Sequence, residues 1–126
     1  MASACPEAAL RHDARFVALV PCCQAELARD LEGLKKPERQ LWRHPIQRRE
    51  FGAHLTNVLR GLFLEAHGYK VRVTELTGLE HSLKNELLFA ERHQRANPVA
   101  RVEYERLAAQ FGVAPSLLQF EAAGLA

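Results

Sequence analysis

The chain has 126 residues, enough for one domain with little margin for a large core. Its 48% apolar and 25% charged residues fit a globular protein, and a formal net charge of +2 does not by itself mark a nucleic-acid binder. No apolar run approaches the ~20 residues that span a bilayer, and Met1-Ala2-Ser3-Ala4-Cys5 lacks the blocks of a secretory leader, so a cytoplasmic protein without a membrane segment is expected.

In chain order, residues 1–13 are small and polar, and Pro6 fits the first turn of a short helix from Glu7 to His12. Phe16-Val17-Ala18-Leu19-Val20 comes next. No polar residue interrupts it, which predicts a strand buried on both faces, as in a parallel sheet covered by helices. It stops at Pro21-Cys22-Cys23-Gln24. In open α/β sheets chemistry gathers just past the carboxyl ends of strands, so these side chains fall on the expected functional rim.

Residues 24–31 read as a short helix with Leu27 and Leu31 one turn apart, and Gly33 as its stop. Residues 35–45 read as a loop. Over residues 35–50, Lys35, Lys36, Arg39, Arg43, Arg48 and Arg49 outnumber Glu38 and Glu50, and Trp42 lies among them. Base plus an aromatic is what single-stranded RNA favours; a solvated loop with one buried tryptophan is the plainer reading. The clearest helix runs from about Ile46 to His67, with Phe51, Leu55, Val58, Leu59, Leu62 and Ala66 on one stripe. Gly68 fits the left-handed residue past its end.

Tyr69 to Leu76 alternates apolar and polar residues and predicts a half-exposed or edge strand. Glu86 to Arg92 is apolar on both faces and predicts a more interior strand. The two are expected to pair as an antiparallel hairpin around the loop from Thr77 to Asn85. Asn97-Pro98 then opens a helix carrying Val99, Val102, Leu107 and Phe111 and ending at Gly112. Pro115 opens a last short one. Residues 104–117 superficially resemble a helix-turn-helix, but Ser116 to Phe120 offers little to read base edges, so packing is expected there. The chain therefore divides into an α/β part, 1–95, and a helical extension, 96–126.

Three cysteines are present, and Cys22 and Cys23 are adjacent, which precludes an unstrained disulfide between them. Reduced thiols are the simplest reading. With no C-x-x-C pair, zinc binding is disfavoured. A thiolate nucleophile would need a base or helix N-terminus to lower its pKa; lining a pocket, or packing as a small apolar residue, asks for less. Gln24 can orient a hydroxyl or amine, or cap a helix. His81, Lys84 and Asn85 sit in the hairpin loop, facing a substrate or simply water.

Val20-Pro21-Cys22-Cys23-Gln24-Ala25-Glu26-Leu27, His44-Pro45, Arg49-Glu50-Phe51-Gly52 with Leu55-Thr56, Leu64-Glu65-Ala66-His67-Gly68-Tyr69, and Glu80-His81 with Lys84-Asn85 together resemble a bacterial group of class I S-adenosylmethionine-dependent methyltransferases. That group carries a Pro-Cys-Cys-Gln or Pro-Cys-Cys-His motif after the fifth strand. The resemblance covers roughly residues 14–93. It implies the C-terminal half of a Rossmann-like methyltransferase sheet, whose last strand inserts antiparallel between the fifth and the sixth. It also implies Cys22, Cys23, Gln24, His81, Lys84 and Asn85 as substrate-side residues and S-adenosylmethionine as the cofactor. Ser82-Leu83 departs from the family's Thr-Pro, and Pro6 stands where an aspartate would follow Ala4-Cys5. No G-x-G turn of the cofactor half is found, so an incomplete enzyme that binds the cofactor weakly alone is expected. The methyl acceptor is not named by these residues. The rival expectation is a non-enzymatic module of the same fold that binds RNA or protein, or self-associates through an exposed strand edge.

Overall fold

A computed structural model describes residues 10–19, 25–32, 37–75 and 86–113. They form strand β1 (Phe16–Leu19), helix α1 (Ala25–Glu32), a 3₁₀ turn (Pro37–Leu41), helix α2 (Pro45–Ala66), strands β2 (Tyr69–Glu75) and β3 (Glu86–Arg92), and helix α3 (Pro98–Phe111). The expected helix at 7–12 falls mostly outside the described residues, and the one at Pro115 wholly so.

The sheet has the order β1-β3-β2, with β3 antiparallel to both neighbours. Residues 86–92 therefore form the central strand, as their apolar pattern suggested, and residues 69–75 an edge. One side of the sheet is apolar: Val17, Leu19, Leu88, Ala90 and Tyr69 meet Leu64 of α2. The expectation that β1 is buried on both faces is not met. Val17 and Leu19 are buried, while Phe16 and Ala18 point outward and Phe16 is 55% exposed. Among the described residues helices cover only one side of the sheet, so a fully apolar strand still keeps a wet face.

Helix α2 is the middle layer. Leu64 faces the sheet; Leu55, Leu59, Phe63 and Ala66 face a second core made with Leu27 and Leu31 of α1, Trp42, and Ala100, Tyr104, Ala108 and Phe111 of α3. Burial on two sides explains why Phe63 and Leu64, outside the predicted stripe, are fully buried. Each such side chain contributes roughly 1.5–3 kcal/mol. The stretch read as a loop at 35–45 includes the 3₁₀ turn, whose role is to deliver Trp42 inward. Trp42 is 2% exposed and touches the rings of Phe51 and Phe111, with ring centres 5.3 and 5.8 Å away. It is a core residue and is not available for stacking on a base.

The helix ends follow local chemistry. Asn97 accepts a hydrogen bond from the Ala100 amide at 3.2 Å with Pro98 behind it, and α3 stops at left-handed Gly112. Gly68 ends α2 at φ 94°, and a Cβ there would meet the Gln94 carbonyl oxygen at 1.9 Å. Its own carbonyl accepts from the amides of His93 and Gln94, both at 2.9 Å, so only glycine serves at this crossing of α2 and the end of β3.

Candidate functional site

Three strand ends meet at one end of the sheet. Leu19 pairs with Leu88 and Glu75 with Glu86, so β1 ends, β2 ends and β3 begins side by side. The two segments that carry the sequence-predicted residues both start from this end. Cys22, Cys23 and Gln24 stand between β1 and α1; His81, Lys84 and Asn85 stand between β2 and β3. All six lie outside the described residues. The described residues that flank the two segments, Leu19, Glu75 and Glu86, lie at the same end of the sheet.

Helix α2 adds a polar step to this rim from two residues outside its apolar stripe, Asn57 and Arg60. Asn57 Nδ2 donates to Glu86 Oε2 at 3.1 Å, and Arg60 Nη1 donates to Asn57 Oδ1 at 3.4 Å. Asn57 and Arg60 are both buried, Arg60 to 3% exposure. Buried polar groups need partners, and these two have them. The guanidinium donates to the amide oxygen, which turns the amide nitrogen toward the carboxylate. The step therefore fixes Glu86, the first residue of β3, as an acceptor at the rim. A signal did exist in the sequence: Leu55, Thr56, Val58, Leu59, Leu62 and Phe63 surround both positions, leaving no continuous water face.

The groups with perturbed titration lie elsewhere. Burial raises the Glu65 carboxyl above its usual range. Burial, with Glu26 nearby, pushes the Tyr104 phenol up to about 12. Burial lowers His67, helped by Arg101 and Arg92 and opposed by a bond to the Phe63 carbonyl. That bond is 2.7 Å from Nδ1, and because a carbonyl only accepts, Nδ1 carries the proton. His67 follows the last residue of α2, at the far end of the sheet from the rim. Packing accounts for all three without catalysis.

The described glycines do not build a cofactor cradle. Gly52 presses on Ala28 of α1, Gly61 faces Val71 and Gly68 ends a helix. S-adenosylmethionine therefore has no fitting glycine-rich turn among the described residues. No cluster of three or more His, Cys, Asp or Glu among them could hold a metal ion. Nor is any described helix long and apolar enough to cross a membrane. Comparison with protein-family models, with curated proteins and with solved structures found no match.

Proposed function

We propose that this chain forms the substrate-side portion of a cytoplasmic class I S-adenosylmethionine-dependent methyltransferase. The supporting observation is the strand order: β3 runs antiparallel between β1 and β2, the arrangement the motif resemblance implies for the last three strands of that fold. In this reading Cys22, Cys23, Gln24, His81, Lys84 and Asn85 line the substrate side, and the Arg60–Asn57–Glu86 step holds the start of β3. None of these residues is assigned to binding S-adenosylmethionine. Isothermal titration of the chain with S-adenosylmethionine is expected to show no micromolar binding. The deciding observation is the coding sequence upstream. An in-frame strand, Gly-rich turn and helix supports the assignment; an in-frame stop directly before Met1 overturns it.

A second reading, a non-enzymatic interaction module, is favoured by the edge of β1 away from β3, which carries no strand among the described residues. A bare edge invites pairing with another chain. Light scattering separates the two readings: an obligate dimer supports the module, and a monomer removes self-association.

A further inference from the structure

We propose that the outer face of the sheet, the one α2 leaves bare, binds single-stranded RNA, with Phe16 and Phe89 as stacking platforms. This goes beyond the methyltransferase reading and does not depend on it. A lone exposed phenylalanine needs no explanation. Here exposed Phe16 and half-buried Phe89 stand on neighbouring strands, their ring centres 6.4 Å apart, and each carries a guanidinium: Arg15 lies 5.4 Å from the Phe16 ring centre and Arg72 lies 5.6 Å from that of Phe89. Beside them is a cleft of about 300 Å³ lined by Lys70, Arg72, Phe89 and Glu91. That is the lower end of the range for small-ligand pockets, suited to a single base.

The mixture of groups selects the occupant. The core of a protein–protein interface is depleted in lysine and glutamate, whereas the cleft beside these rings carries Lys70 and Glu91. Among the described residues of this patch, Arg15, Arg72 and Lys70 stand against the carboxylate of Glu91, a balance that favours a polyanion. Aromatic rings with arginine beside them stack bases of any sequence while the cations follow the phosphates. Glu91, directly across the ladder from Lys70 and Phe16, repels phosphate but accepts a hydrogen bond from a ribose 2′-hydroxyl, and this favours RNA over DNA. The basic segment around Trp42 was the sequence's candidate for this role; with that ring in the core, the aromatic-plus-base surface is on the sheet instead.

The test is fluorescence anisotropy of a labelled short oligouridylate titrated with the full chain at low salt, with the matching DNA oligomer and a duplex RNA as arms. Binding that weakens with salt, prefers the RNA single strand, and falls about five-fold or more in both Phe16→Ala and Phe89→Ala is expected. Arg72→Glu should weaken it further, and Glu91→Ala should narrow the gap between RNA and DNA. Circular dichroism checks that each variant folds; Phe16 and Arg72 are exposed, so their variants remain informative should Phe89→Ala unfold. Absence of binding at low salt, equal binding of DNA or duplex, or affinity unchanged in Phe16→Ala and Arg72→Glu overturns the proposal. So does a dimer in light scattering that Phe16→Ala dissolves, which would assign the face to a second copy of the chain.

Discussion

Gly52 of α2 lies so close to Ala28 of α1 that a Cβ on it would sit 2.8 Å from the Ala28 nitrogen and 3.1 Å from its Cα. The nearest atoms are backbone and cannot turn aside. Glycine inside a helix normally costs about 0.5–1 kcal/mol relative to alanine, so Gly52→Ala would ordinarily stabilise. Here the overpacking cost, about 1–3 kcal/mol, wins, and a net loss is expected as a lower urea midpoint. Gly61, on the same helix, is the control: its Cβ would meet only Val71 Cγ1 at 3.8 Å, an ordinary contact. Gly61→Ala should therefore raise the midpoint. Equal signs for the two would disprove the close approach.

The aromatic cluster of Trp42, Phe51 and Phe111 joins the 3₁₀ turn, α2 and α3. Trp42 is the chain's single tryptophan and is buried, so its emission should be blue-shifted and weakly quenched by iodide. Trp42→Ala should cost about 3–5 kcal/mol, a large part of a small domain's stability of about 5–15 kcal/mol. Strong quenching in the native chain would show that the ring is not where the structure puts it.

Much of this was readable in the residues. Asn97-Pro98 and Gly112 bound α3 as capping chemistry requires, Gly68 ends α2, and the alternation of 69–76 against the apolar run of 86–92 separated the edge strand from the central one. One reading went astray for a reason outside local pattern: the run at 16–20 looked buried on both faces because composition cannot say how many layers cover a sheet. The plainer reading of the basic segment, exposed bases around one buried tryptophan, matches the structure, where Trp42 alone turns inward. The six motif residues lie outside the described ones, and the contact of Asn57 with Glu86 was hidden by distance along the chain: the two are 29 residues apart and meet only once β3 is placed.

The step from Arg60 through Asn57 to Glu86 should behave as a unit. A hydrogen bond to a charged group contributes about 1.5–3 kcal/mol, and removing one partner of a buried group costs more than the bond itself. Asn57→Ala takes an acceptor from buried Arg60 and a donor from Glu86 together, so it should destabilise more than Glu86→Gln, which keeps a weaker acceptor. In a double-mutant cycle the pair should show a coupling of at least about 0.5 kcal/mol. Additive losses would mean that the 3.1 Å contact carries no energy.

His67 should give the fold an acid-sensitive limb. It is 3% exposed, its ring centre lies 4.4 Å from that of Phe63, and its Nδ1 donates to the Phe63 carbonyl. Burial holds its pKa below the ordinary 6.5, and Arg101 and Arg92 add to the cost of a second positive charge. The unfolded chain takes up a proton near 6.5 while the folded chain resists it. The stabilisation is therefore complete above that value and is lost as the pH falls toward the folded pKa, at a slope of at most about 1.4 kcal/mol per pH unit. Urea unfolding across this window should show the decline in the native chain and a flatter curve in His67→Gln, which cannot take up the proton. Parallel slopes in the two proteins would place the acid sensitivity on other groups and leave His67 as packing alone.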